Sequence, residues 1–216
     1  MPSKYTVRSF TKDGYYHVYN IGIDKKQIFQ DTEDYNTFYY YLYIYLAPLE
    51  RSARKYKEIP LRLAHKNLHA EITLFSYCLM PDHFHLLLQQ KSINGVTKLL
   101  KQLTNAYTQY YNQKYRRSGP LFAGRYKAVQ LKNSEEITQL TRHIHLHPVQ
   151  AGLNTTPDYE WSSYSEYADP SPRNLCTTKP ILERFPSIYM YKKFVMDQKD
   201  YQKKLSRLGI LLFDDK

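Results

Sequence analysis

The sequence predicts an α+β fold: a central antiparallel β-sheet with helices packed on it, followed by a C-terminal helical extension. Three observations predict it. Short alternating or aromatic-rich runs, the mark of strands, occur at 15–23, 71–80, 83–90 and 125–131. Longer segments between them carry apolar residues at helical spacing. Strands and helices come in the order β-α-β-β-α-β-α, and 216 residues suffice for one ordinary domain with an appendage.

The elements follow in turn. YYHVYNIGI opens the chain's first strand. Asp31 or Thr32 caps a helix that runs to about Ala47, with Glu33 and Asp34 in its first turn and Pro48 as its stop. Tyr35, Phe38, Tyr39, Leu42 and Leu46 form its apolar face. Residues 50–69 are polar and basic, and read as loop or irregular helix. EITLFSYCLM and HFHLLLQQ make an antiparallel pair about the turn at Pro81-Asp82. A helix from Ser92 to about Tyr115 buries Val96, Leu99, Leu100, Leu103 and Tyr107. RYKAVQL is a short strand. Asn133 or Ser134 then caps a helix with Ile137, Leu140, Ile144 and His147 that stops at Pro148. The prolines and serines of 157–180 read as a linker. The division is therefore a main domain over 10–168, a linker over 169–180, and a helical extension over 181–216.

Charge narrows the function. The formal net charge is +11 and the pI about 9.4, a field that attracts polyanions. Between Gly95 and Lys132 stand Lys98, Lys101, Lys114, Arg116, Arg117, Arg125, Lys127 and Lys132, with no acidic residue among them. Tyr107, Tyr110, Tyr111, Tyr115, Phe122 and Tyr126 are interleaved. Cations hold phosphates and aromatic faces stack on unpaired bases, so Arg116, Arg117, Arg125, Lys127 and Tyr107 are the candidate nucleic-acid contacts. No apolar run approaches the ~20 residues of a membrane span. The N-terminus lacks a secretory pattern, and Cys78 and Cys176, far apart and outside any CxxC, read as reduced thiols of a cytoplasmic protein.

The histidines carry the chemistry. His83 and His85 are two apart on a strand and project from one face. His143 and His147 are four apart on a helix and share a face, while His145 points elsewhere. Five of the eight histidines fall in these two short segments. Each cluster alone reads as a hydrogen-bonded core pair or a helix end; together they read as an ion site.

The runs 78–90, 103–131, 140–153 and 158–167, in unbroken order over roughly residues 10–168, resemble the REP-associated tyrosine transposases. These are IS200-like members of the HUH single-strand transposases and nucleases. The resemblance implies the HUH, ferredoxin-like transposase fold. It implies a divalent ion, magnesium or manganese, on His83 and His85. His147 stands where relatives place a polar third ligand, commonly the Asn of an NPV segment. The implied partner is single-stranded DNA beside a hairpin. The implied reaction is attack of a tyrosine hydroxyl on a phosphodiester, leaving a 5′-phosphotyrosine and a free 3′-OH.

The nucleophilic tyrosine of such relatives lies four residues before that ligand, and here the position is His143. Three roles stay open. His143 is itself the nucleophile, since an imidazole of pKa about 6.5 is unprotonated at neutral pH. A tyrosine of the basic segment, Tyr111 above all, supplies the hydroxyl. Or the protein is a DNA- or RNA-binding regulator without cleavage, in which His143 adds a metal ligand. A small-molecule phosphoesterase built on the same imidazoles is a further reading that the basic aromatic stretch disfavours. A monomer is expected over a dimer.

Overall fold

The computed structural model describes residue 7, residues 9–169 and residues 175–197. Four strands, β1 (Tyr15–Ile21), β2 (Ile72–Met80), β3 (His83–Gln90) and β4 (Lys127–Leu131), form one antiparallel sheet in the order β2-β3-β1-β4. A 3-10 turn, Ile23–Lys25, follows β1. The helices are α1 (Thr32–Leu46), α2 (Leu49–Lys55), α3 (Leu61–Ala64), α4 (Gly95–Lys114), α5 (Ser134–Gln150), α6 (Tyr164–Ala168), α7 (Lys179–Leu182) and α8 (Ile188–Met196).

The side-chain period of two along β3 divides the molecule. Phe84, Leu86 and Leu88 point to one face, where Phe84 meets Phe38 of α1 at 5.1 Å between ring centroids. Helix α4 packs there as well, its buried Val96 amide donating to the buried side chain of Gln90. His83, His85 and Leu87 point to the other face, against which α5 packs.

Capping sets the helix starts. Asp31 accepts from the Asp34 amide at 3.0 Å, and Asn133 from the Glu136 amide at 2.9 Å. Helix α5 does not stop at Pro148 as its sequence suggests. Pro148 lies inside it, and the helix continues to Gln150. A proline ring removes one backbone donor, but the chain past it keeps the turn closed: Ala151 donates to the His147 carbonyl and Leu153 to the Pro148 carbonyl. Gly152, at φ +70°, makes the left-handed exit.

Residues 157–169 are not linker. Ser163 donates its amide to Tyr77, Leu79 donates to Trp161, and Tyr167 is fully buried, so this stretch lines the β2 edge and forms α6. Leu175 and Cys176 are also buried, and the Thr177 amide donates to Leu74. The described part of the tail is likewise packed on the body. Tyr191 and Val195 of α8 are wholly buried against α5 and α6. The rest of the expected helical extension, 198–216, lies outside the described residues. No helix among the described residues is long and apolar enough to cross a membrane.

Candidate metal centre and nucleic-acid interface

His83 and His85 enter the site because β3 alternates, and His143 and His147 because α5 presents one stripe to the same face of the sheet. Ligand nitrogens of His83, His85 and His147 all lie within 4.8 Å of one another. The Nε2 atoms of His83 and His147 are 2.8 Å apart. His85 is wholly buried and His147 nearly so, while His83 is partly open at 18% side-chain exposure, which leaves the cluster a solvent side.

Two further groups orient these rings. Asp82 places a carboxylate oxygen 2.6 Å from His83 Nδ1. That hydrogen bond holds the Asp82 carboxyl below its ordinary value. His17 of β1 places Nε2 2.9 Å from His85 Nδ1, with the two rings stacked. His83 and His85 thus each turn Nδ1 to an orienting partner and Nε2 toward the cluster, the arrangement that metal-binding histidines adopt. The donor set fits a divalent ion: imidazoles suit the later first-row metals best, and magnesium and manganese take such a site with oxygen ligands and retained waters filling the remaining positions.

His143 joins the same group. Its ring centroid is 5.4 Å from that of His147, 5.9 Å from His85 and 6.4 Å from His17. His145, between them in sequence, faces away as expected. It is fully buried, with Nδ1 2.6 Å from the Tyr191 hydroxyl and Nε2 2.8 Å from Ser163 Oγ. Burial pushes its pKa down to about 3, so it is a neutral strut joining α5 to the C-terminal helices.

The family model described as "Transposase IS200 like" matches residues 11–147, a span that holds the whole imidazole cluster. The chain belongs to the IS200-like transposase family. One solved structure similar to this transposase is a REP-associated tyrosine transposase bound to a REP hairpin. The identity is 13%, the match covers 76% of this chain and 84% of that one, and the TM-score is 0.49. No curated protein matches the sequence.

In this IS200-like chain the basic aromatic stretch divides. Tyr107 is not a stacking platform: its ring is wholly buried and its hydroxyl donates to the Ile28 carbonyl. Tyr111 is buried one turn further along α4. Its hydroxyl donates to the Gln27 carbonyl and accepts from Gln30, so it is engaged by that loop and not by the imidazoles. Both continue the stripe of Leu99 and Leu103 at four-residue spacing, a signal for core that the sequence already contained. Tyr110 and Tyr115 donate to the buried Asp34, and Lys114 pairs with Asp31, Glu33 and Asp34.

The four cations that the sequence singles out as phosphate contacts take different positions. Arg116 and Arg125 are exposed, Arg125 lying 5.3 Å over the Tyr126 ring. Arg117 folds over the Tyr111 ring at 5.5 Å and donates to the Pro120 carbonyl. Lys127 is exposed on β4 and borders the cluster: its ammonium lies 5.7 Å from the Tyr19 ring, which stacks on His85. His17, Asp82 and Tyr19 were not among the sequence candidates. In the sequence Asp82 reads only as a turn residue. Only the pairing of β1 with β3, a long-range fact, sets His17 and Tyr19 beside His85.

Proposed function

We propose that this transposase binds single-stranded DNA beside a hairpin, as the REP-associated tyrosine transposases do, and cleaves and rejoins it at the imidazole cluster. The observation that carries the reading is the convergence of His83, His85 and His147 within 4.8 Å, with His143 one turn before His147 on the same face of α5.

His83, His85 and His147 would hold a divalent ion there, magnesium or manganese, which when bound would polarise the scissile phosphate and offset its developing charge. The protein's own residues do the rest. Asp82 and His17 fix the tautomers of His83 and His85, so that the nitrogens facing the cluster carry lone pairs. Lys127 and Arg125 hold the strand's phosphates at the rim. His143 takes the place of the tyrosine nucleophile: an imidazole nitrogen attacks phosphorus, the P–O3′ bond breaks, and the 3′-oxygen leaves and takes up a proton. The product is a 5′-phosphoramidate on His143 and a free 3′-hydroxyl. Reversal by another 3′-hydroxyl rejoins the strand.

Wild type, His143→Ala and His143→Tyr, each given manganese and a labelled hairpin-bearing oligonucleotide, test this. Wild type is expected to give a covalent adduct that is lost on mild acid treatment, the alanine variant none, and the tyrosine variant an acid-stable one. An adduct formed equally by wild type and the alanine variant removes His143 from the reaction. An adduct in the tyrosine variant alone identifies a DNA-binding protein whose cleavage has lapsed.

A further inference from the structure

A second feature lies on the opposite side of the sheet. A groove of about 420 Å³ runs between α1, the α3 region and α4. Four cations line it, Arg62, Lys66, Lys98 and Lys101, and none of its lining residues is acidic. Lys98 is already paired with Glu71 at 2.8 Å, which leaves Arg62, Lys66 and Lys101, all exposed, as the charge that faces an occupant.

Two polar atoms bordering this groove are buried and have no hydrogen-bond partner among the described residues: the hydroxyl of Tyr45 and the side-chain carbonyl of Gln102. Tyr45 is wholly buried, and burial raises its hydroxyl to about 12, so it stays a proton donor. Folded proteins leave few buried polar groups unmatched, and each that remains calls for a cause, a bound water, ion or ligand among them. Here one donor and one acceptor line the same groove as three cations. Tyr41, half-buried, stacks over Tyr45 at 6.3 Å and offers a ring at the mouth. Cations for a phosphate, a donor and acceptor for a base edge and an aromatic face for its plane together describe a nucleotide.

We propose that this groove binds a nucleotide of the DNA, its phosphates on Arg62, Lys66 and Lys101 and its base edge on Tyr45 and Gln102. The inference rests on the reading that the partner is DNA. It adds a contact on the face away from the imidazoles, so that the strand or hairpin is held on both sides of the sheet.

The test is fluorescence anisotropy of the hairpin-bearing oligonucleotide over a salt series, with the full chain. Three proteins are compared: wild type, the triple variant Arg62→Glu, Lys66→Glu, Lys101→Glu, and Tyr45→Phe. The triple variant is expected to bind at least about ten-fold more weakly, with a slope of log affinity against log salt smaller by about 2. Tyr45→Phe is expected to weaken binding several-fold while its Tm is equal to wild type or higher, because it removes an unmatched buried hydroxyl. If wild type binds and both variants match it in affinity and slope, the groove assignment is overturned and the DNA reading stands. If wild type does not bind the oligonucleotide, both are overturned.

Discussion

His85 is completely buried in the middle of an apolar strand, where leucine would fill the space without a polar atom to satisfy. An imidazole is kept there because its two nitrogens have separate work: Nδ1 meets His17 at 2.9 Å and Nε2 is left for the cluster. This predicts that His17→Ala lowers manganese affinity about 10-fold, in the range of lost orienting partners, with His17→Gln losing less. Titration calorimetry on the free protein checks it, and equal affinities in all three proteins would show His17 to be mere packing. At this scale the sequence was informative where two histidines recur on one element. His17 escaped because its partner is 68 residues away and the lone ring in YYHVYN looks like any strand residue.

Helix α5 joins the chemistry to the stability of the fold. Successive turns send His143 and His147 to the cluster, and His145, half a turn between them, makes a dry contact with Tyr191 and Ser163. Because the folded His145 has a pKa of about 3 against an ordinary 6.5, the unfolded chain binds a proton there between those values that the folded chain does not. Stability falls as pH drops from about 6.5 toward 3, by about 1.4 kcal/mol per unit from this ring. Glu166 works in the opposite sense. Burial raises its carboxyl to about 7 from 4.5, so between those values the folded chain holds the extra proton and stability falls as pH rises. Urea unfolding separates the two. Compared with wild type, His145→Gln is expected to lose about 2 kcal/mol less between pH 7 and pH 5. Glu166→Gln is expected to gain stability relative to wild type at pH 8 and nothing at pH 4. Parallel pH profiles for all three proteins would refute both assignments. The run of this helix was readable from its cap and its apolar spacing. Its end was not, since Pro148 reads as a stop, and only the bonds from Ala151 and Leu153 back to His147 and Pro148 keep the turn closed past it.

Across the whole molecule, a net charge of +11 does not act as one patch. Lys114 is spent on Asp31, Glu33 and Asp34, and four tyrosines of the basic stretch are held by the core or by Asp34. The strand order was open to sequence reading only in part: alternation showed which segments are strands, but β1 lying between β3 and β4 is a pairing that no local pattern encodes. Of the charge left over, Lys127 borders the imidazole cluster beside Tyr19, and Arg125 stands exposed two residues before it. Replacing both with glutamine is expected to weaken hairpin DNA and reduce the salt slope by about 1.5 while leaving manganese affinity unchanged. An unaltered slope would place the DNA elsewhere. The central claim is that His83, His85 and His147 hold one ion. Electron spin-echo spectroscopy of manganese bound to the full chain tests it most directly. Three nitrogen couplings are predicted in wild type and two in His147→Ala; manganese that shows no nitrogen coupling in wild type would contradict the account.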